Sequence, residues 1–407
     1  MDPDRVVPAS GARPTTVARP DHPLLSVVVP AHNATAVLER CLGALRASHF
    51  PWDAWELLVV DDASTEDTEL IAARYADTVV RLAGNPHGPS YARNRGAEAS
   101  RGEVIVFVDA DVVVHRDALA RIADHFVSSP TTAALFGSYD VHPYHGGIVS
   151  QYRNLLHHFV HQRNPGPAET FWSGLGAIRA AVFHEVGMFD EWHYSRPQIE
   201  DIELGRRLRH RGHTVLLDPG IQGTHLKRWT LRNMLANDFQ HRGVPWMWLL
   251  LQEGEGMQAR SLNVAPLQKA CTALFALGVI ALVAGVLSGG SPVLFAIAVG
   301  AIAVVLLINL PFYRYLRAHR SLIFALGILP LHLGYYGLNV LAVAAGWLFH
   351  EMLGTPSPPA ERQAMAEVGI RSWPPPIRRP RASVWTDSHM VIPRPPADTP
   401  AAGPARP

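Results

Sequence analysis

The run Val104-Ile105-Val106-Phe107-Val108-Asp109-Ala110-Asp111 decides the fold. Five consecutive β-branched or aromatic residues read as a strand buried on both faces, and such strands belong to mostly parallel sheets covered by helices. Upstream, Leu24–Pro30, Glu56–Asp61 and Thr78–Leu82 have the same character, so that Glu103–Asp109 becomes the fourth strand. The stretches Thr35–Ser48, Thr65–Ala76, Pro89–Ser100 and Arg116–Ser128 read as the intervening helices. This alternation predicts an α/β domain with a mostly parallel sheet. Ligands of such sheets sit at the carboxyl ends of the strands. Those ends carry Pro30-Ala31-His32-Asn33, Asp61-Asp62-Ala63-Ser64 and Asp109-Ala110-Asp111. One acidic strand end is ordinary, because Asp and Ser cap the helix that follows. Two on one sheet edge repel unless a cation or a donor-rich ligand lies between them. In an extended segment residues i and i+2 point the same way, so Asp109 and Asp111 can face one hard divalent cation, Mg²⁺ or Mn²⁺, completed by substrate phosphates.

The whole chain has 407 residues, 48% hydrophobic and 17% charged, with 36 basic and 35 acidic side chains. A net charge of +1 excludes the broad basic footprint of a nucleic-acid binder, so no nucleic acid is expected as partner. Cys41 and Cys271 are too few and too far apart for a disulfide framework or a cysteine-rich metal site.

The apolar average hides a change of character. Ala270 to Tyr313, 44 residues, contains no Asp, Glu, Lys or Arg. A spanning helix needs about 20 apolar residues, so two fit here, near Leu267–Leu287 and Val293–Phe312, joined at Ser288-Gly289-Gly290-Ser291-Pro292. A third charge-free run, Ser321–Phe349, is broken by Pro330 and Gly334 and either spans or re-enters. Two to three transmembrane helices are therefore expected within residues 267–350. Arg260 and Lys269 before the first span and Arg314, Arg317 and Arg320 after the second put the preceding domain on the cytoplasmic face. Between domain and spans, residues 231–262 read as an interfacial amphipathic segment, with Arg232, His241 and Arg242 interspersed with Phe239, Trp246 and Trp248. Met1–Pro23 has acidic residues and five prolines but no apolar core, so it reads as a disordered tail rather than a signal peptide. Residues 354–407 hold 13 of the 33 prolines, a composition that cannot bury a core and reads as a disordered Pro/Arg-rich tail.

Four motifs in order carry a resemblance: Ser26-Val27-Val28-Val29-Pro30-Ala31-His32-Asn33, Val59-Val60-Asp61-Asp62-Ala63-Ser64, Gly88-Pro89-Ser90-Tyr91-Ala92-Arg93-Asn94, and Phe107-Val108-Asp109-Ala110-Asp111. From about residue 24 to 230 the chain resembles the family 2 glycosyltransferases, membrane-anchored and of bacterial type. The resemblance implies a GT-A fold, a nucleotide-diphosphate sugar donor and usually a divalent metal. By position, it implies that Pro30, Ala31 and Asn33 with Asp61 and Asp62 hold the nucleobase and ribose, and that Arg93 lies beside the nucleotide. It implies further that Asp109 faces the ribose or metal and that Asp111 binds the metal bridging the diphosphate.

The second half is read the same way. Phe171-Trp172-Ser173-Gly174-Leu175-Gly176-Ala177 is small and aromatic; glycine allows close backbone approach and Trp offers a face to a sugar ring. The resemblance implies that Trp172, Gly174 and Glu200 line the sugar and acceptor pocket. Acidic residues in a first helical turn commonly just favour the dipole. An attacking sugar hydroxyl must nevertheless lose a proton, which a carboxylate can take, and Ile199-Glu200-Asp201-Ile202 is similar to the family's acidic pair, with Asp201 at the position of the base. A direct displacement with such a base is inverting. His225-Leu226-Lys227-Arg228-Trp229 resembles the Q-x-x-R-W element of membrane-bound members, with His225 where Gln is usual. His225 then becomes a candidate metal ligand, and Lys227, Arg228 and Trp229 candidates for the leaving diphosphate.

The expected function is transfer of a sugar to a lipid-linked or cell-envelope glycan acceptor, as in polysaccharide biosynthesis, at the bacterial cytoplasmic membrane and in contact with its lipid. The alternative within the same fold is a processive polysaccharide synthase subunit; two or three spans are too few to build a channel in one chain unless it oligomerises. A sugar-phosphate nucleotidyltransferase needs a Gly-rich, Arg-containing loop after the first strand, which Val29–Asn33 lacks. An inactive membrane scaffold is at odds with Asp109, Asp111 and Asp201 all being present.

Overall fold

The computed structural model describes residues 21–252, 266–353 and 389–393. The first part is built from β1 (Leu25–Ala31), α1 (Thr35–Arg46), β2 (Trp55–Asp62), α2 (Thr68–Tyr75), β3 (Thr78–Leu82), α3 (Pro89–Ala99), β4 (Val104–Val108), β5 (Val112–Val114), α4 (Ala118–Ser128) and β6 (Thr132–Tyr139). It continues through α5 (Ile148–Gln162), β7 (Gly166–Pro167), β8 (Leu175–Arg179), α6 (Ala180–Glu185), α7 (Glu200–His210) and β9 (Thr214–His225). The C-terminal part comprises α8 (Leu231–Ala236), a π-helical turn (Asn237–Gly243), α9 (Val244–Gln252), α10 (Pro266–Leu287), α11 (Pro292–Ile308), α12 (Leu310–His319), α13 (Leu322–Leu353) and β10 (His389–Pro393).

One sheet organises the first part, in the order β10-β3-β2-β1-β4-β8-β6-β9-β5, with β7 added on β9. Strands β3, β2, β1 and β4 run parallel, while β8 is antiparallel to both β4 and β6. This is the mixed α/β sheet of a GT-A fold. Side chains of a strand alternate between faces, and both faces here are covered. Val27, Val29, Leu57, Val59, Val104 and Val106 pack against Leu38, Leu42 and Leu45 of α1. Val28, Leu58, Val60, Ile105 and Phe107 pack on the other side against Ala92, Phe183 and Phe189. Two covered faces explain why these strands read as unbroken apolar runs.

Differences from the expected elements have local causes. Helix α2 begins at Thr68 rather than Thr65, because the Thr65 N–H and hydroxyl both donate to Asn33 Oδ1, at 2.8 and 3.2 Å. Pro330 does not break the third apolar run: α13 is continuous over 32 residues with Pro330 inside it. A helix among other apolar helices tolerates the one lost backbone bond. The second expected span is bent instead, α11 and α12 meeting at Asn309 with a 54° change of direction. Two helices, α10 and α13, are each long and apolar enough to cross a membrane, or three if the bent pair counts as one.

The expected interfacial segment, in its described part, packs on α13: a β-carbon at Gly243 would come within 2.6 Å of Ala342, and one at Gly346 within 2.7 Å of Met247. Arg320, after α12, donates to Gln151 Oε1 of α5 at 2.5 Å and to the Val141 carbonyl at 3.0 Å, tying the apolar helices to the sheet domain. Between the helices, Asn309 Nδ2 donates to Cys271 Sγ at 3.6 Å, and the Tyr336 hydroxyl lies 2.6 Å from Gln268 Oε1 and 3.0 Å from Asn309 Oδ1.

The C-terminal tail departs from the disordered reading at one place. His389–Pro393 forms an antiparallel edge strand on β3, from His389 opposite Leu82 to Pro393 opposite Thr78. Strand β3 is otherwise the last of the sheet, and an open edge offers unpaired backbone groups to any short β-forming run. The rest of that tail, the N-terminal residues 1–20 and residues 253–265, which include Arg260, lie outside the described residues.

Candidate active site

The ends of β1 and β2 are stitched to each other. After Pro30 and Ala31, which close β1 opposite Val60 and Asp61, Asn33 turns with φ +47°. Its N–H donates to Ser64 Oγ at 2.9 Å, while the Ser64 N–H donates to Asp61 Oδ1 at 3.1 Å. Asp62 is used differently from Asp61. Its carboxylate accepts the His87 N–H at 2.9 Å and the Gly88 N–H at 2.8 Å, holding the loop that enters α3. The sequence treats the two aspartates alike; in the structure the Asp62 oxygens are committed to that loop rather than turned to a base or ribose. Gly88 has φ +97°, and a β-carbon there would meet the Ser195 carbonyl oxygen at 2.1 Å. The loop thus fits only with glycine and carries Pro89 as the first residue of α3.

Arg93, on α3, is buried and forks between two carboxylates from distant parts of the chain. Nη1 donates to Glu200 Oε1 at 3.0 Å and Nη2 to Asp109 Oδ1 at 2.7 Å. Buried charges persist only when paired, so Arg93 joins the start of α7 to the end of β4. It also changes the expected metal group. Asp109 is turned to Arg93, and the structure does not bring it together with Asp111 and His225. Among the described residues no three His, Cys, Asp or Glu side chains form a group that could hold a metal ion.

Asp111 and His225 do meet, with Oδ2 and Nε2 3.5 Å apart. The pairing of β5 with β9, Val112 opposite His225, brings them together. The His225 ring stacks on Tyr139 with centroids 4.2 Å apart and planes 9° off parallel. Burial pushes the Asp111 carboxyl up, but the His225 contact and the Lys227 charge together outweigh this and hold it below the usual carboxylate range. A carboxylate oxygen beside an imidazole nitrogen suits a divalent cation whose remaining positions are filled by a diphosphate.

Asp201 lies in the first turn of α7, where acidic side chains favour the helix dipole. Burial, then the neighbouring Glu200 charge, push its carboxyl up to about 7. The Ser173 N–H approaches Asp201 Oδ2 at 3.4 Å. The preceding Trp172 packs edge-on to Tyr139 at 4.8 Å, and a β-carbon at Gly174 would strike the Trp172 ring at 2.5 Å. Glycine at 174 is therefore what lets the indole lie where it does.

Beyond β9, Lys227 Nζ sits 4.5 Å from the Trp229 ring centroid, and the Arg153 guanidinium lies 5.2 Å from the same ring. Lys227 and Arg228 are both exposed. Arg153 pairs with Asp238 of the π-helical turn at 3.0 Å. Tyr139, Trp172 and His225 from the sheet domain share a cavity of about 140 Å³ with Arg242, Tyr335 and Asn339 from the C-terminal helices.

Residues 26–187 match the profile of Glycosyl transferase family 2. The chain is 24% identical over 238 residues to Glycosyltransferase AglE of Haloferax volcanii, covering 56% of this chain and 75% of that one. It is 28% identical over 237 residues to the Pre-mycofactocin glycosyltransferase of Mycobacterium tuberculosis, covering 56% and 48%. Residues 26–187 are those of a family 2 glycosyltransferase domain. Among solved structures, the mannosyltransferase PcManGT from Pyrobaculum calidifontis, in complex with GDP-Man and Mn²⁺, shares the fold at a TM-score of 0.52 and 20% identity, over 79% of this chain and 91% of that one. For several curated relatives the match takes in about half of their own length or less.

Several residues of this cavity were not legible in the sequence as belonging to it. Tyr139 ends an ordinary apolar strand, and His157 and Arg153 sit on an amphipathic helix among 21 histidines and 36 basic residues in the chain. Tyr335 and Asn339 lie in a run read only as membrane span. The i, i+4 spacing of His157 and His161 was the one local signal, since it puts both on one helical face; their rings are 3.9 Å apart, and burial lowers both, His161 to about 4.

Proposed function

We propose that the chain moves a sugar from a nucleotide-diphosphate donor to a lipid-linked or envelope-glycan acceptor, with inversion, at the inner face of the bacterial cytoplasmic membrane. The observation that carries this reading is the meeting in one cavity of His225, which is paired with Asp111, and of Trp172, whose neighbour Ser173 donates to Asp201. Asp201 takes the proton of the acceptor hydroxyl as its oxygen bonds to the anomeric carbon. The bond from that carbon to the β-phosphate oxygen breaks, and its electron pair leaves with the nucleoside diphosphate. A carboxyl poised near 7 is suited to a base that works near neutral pH. The GDP-Man and Mn²⁺ of the mannosyltransferase with the same fold support a nucleotide sugar as donor and a divalent metal as cofactor.

Asp111 with His225 would hold that Mg²⁺ or Mn²⁺. When bound, the ion supplies positive charge to the departing diphosphate. Lys227 and Arg228, exposed just past His225, lend the same charge from the protein side. Asn33, Asp61 and Arg93 frame the nucleotide side, and Asp62 acts through the Gly88 loop. The apolar α10, the bent pair α11 and α12, and α13 anchor the domain, with Arg314, Arg317 and Arg320 facing the cytoplasm.

The test is Asp201→Asn. Transfer should fall by about 10³-fold, while isothermal titration still reports nucleotide binding; undiminished turnover overturns the assignment of the base. Asp111→Ala should raise the Mn²⁺ concentration needed for donor binding, and an unchanged Mn²⁺ titration removes Asp111 from the metal site.

A further inference from the structure

The cavity beside Trp172 differs from the nucleotide side in one respect: its polar atoms are left over. Asn154 is buried at 3% exposure and lines it. The Asn154 Nδ2 donates to the Asp140 carbonyl at 2.7 Å, which fixes the amide's orientation, and its Oδ1 accepts from no group among the described residues. His157 Nδ1 and Trp246 Nε1, on two other walls, are likewise buried and without a partner there. An acceptor oxygen, an indole donor and an imidazole nitrogen of either kind ask for an occupant that both donates and accepts. A phosphate dianion would meet Arg242, which also lines the cavity, but it only accepts and would leave Asn154 Oδ1 without a donor. A hydroxyl does both. The walls are also aromatic, with Trp172, Tyr139 and Trp246 among the residues that line them. The volume, about 140 Å³, is of the size that holds one small ring.

We infer that this cavity seats one neutral sugar ring of the acceptor, and that Asn339 and Tyr335 of α13 form part of the acceptor site. The inference rests on the glycosyltransferase reading above and narrows it. The acceptor is already glycosylated, and the new bond goes to a sugar hydroxyl rather than to a lipid phosphate. The apolar helix is then a wall of the site as well as an anchor. It delivers a carrier-borne sugar beside Asp201, and Asn339 and Trp246 are positioning residues for that ring.

The full chain in detergent micelles can be given a nucleotide-sugar donor that it hydrolyses, with Mn²⁺, and two kinds of probe acceptor: a panel of octyl glycosides, and farnesyl phosphate. Transfer to at least one octyl glycoside is expected, and none to farnesyl phosphate. Asn339→Leu and Trp246→Phe, the second keeping an aromatic six-membered ring but losing the N–H with the pyrrole ring, should each raise KM for the glycoside by about tenfold. The effect on kcat should be smaller, with the donor Kd at its wild-type value. Transfer to farnesyl phosphate alone, transfer to neither with donor hydrolysis intact, or an unmoved KM in both variants overturns the sugar pocket. Absence of any nucleotide-sugar binding or hydrolysis overturns the glycosyltransferase reading instead.

Discussion

The two sides of the candidate site are built on opposite principles. On one side, polar groups at the ends of β1 and β2 satisfy one another: Asn33 with Ser64 and Thr65, Asp61 with Ser64, Asp62 with the Gly88 loop. In the cavity beside Trp172, Asn154, His157 and Trp246 keep atoms unpartnered among the described residues. A stitched edge is rigid before anything binds, so its binding loses little to ordering. A cavity lined with unsatisfied groups gains from any occupant that completes them. The difference teaches where specificity is stored: shape and backbone on one side, unmet hydrogen bonds on the other.

Substitutions can break this contrast, the buried charges first. Arg93→Met leaves the buried Glu200 and the half-buried Asp109 without their shared cation, and a loss of about 3 kcal/mol is expected in chemical unfolding of the full chain. A loss within error of zero would mean that the fork does not join α7 to β4 energetically.

The Gly88 loop is the next test. Gly88→Ala places a side chain at φ +97° and against the Ser195 carbonyl, so about 1–3 kcal/mol of stability should go, together with donor affinity measured by titration. Donor affinity that survives would separate the loop from the nucleotide side.

The smallest effect concerns protonation. With its carboxyl near 7, Asp201 is protonated, and useless as a base, at pH 6 and ionised at pH 8. The kcat/KM of the wild type should therefore rise about tenfold per unit below pH 7 and level off above it. A flat profile between pH 5.5 and 8 would take the proton transfer away from Asp201.

How much of this was legible beforehand follows the same divide. Strands β1 to β4 and the acidic strand ends could be read because each is a local pattern: period, apolar run, turn residues. Asp201 could be read because a short motif carries it. The partners could not. Nothing local to Asp109 says that Arg93 will take it away from Asp111, and Asp62 differs from Asp61 only through a loop 25 residues on. His225 reaches Asp111 through a strand pairing, and Asn339 reaches the cavity because α13 packs on the π-helical turn. Those are tertiary facts, set by register and packing rather than by neighbours in the chain.

One polar cluster in the apolar bundle has a further consequence. Asn309, at the bend between α11 and α12, is bonded to Cys271 of α10, and the Tyr336 hydroxyl of α13 reaches Asn309 and Gln268. Apolar helices in an apolar surrounding have little to stop them sliding along one another, and buried polar pairs are what fix their registry. Tyr336 is the immediate neighbour of Tyr335 on the cavity wall. The axial setting of α13 against α10 therefore also fixes where Tyr335 and Asn339 stand in the wall of that cavity, so the packing of the apolar bundle reaches the shape of a pocket in the sheet domain.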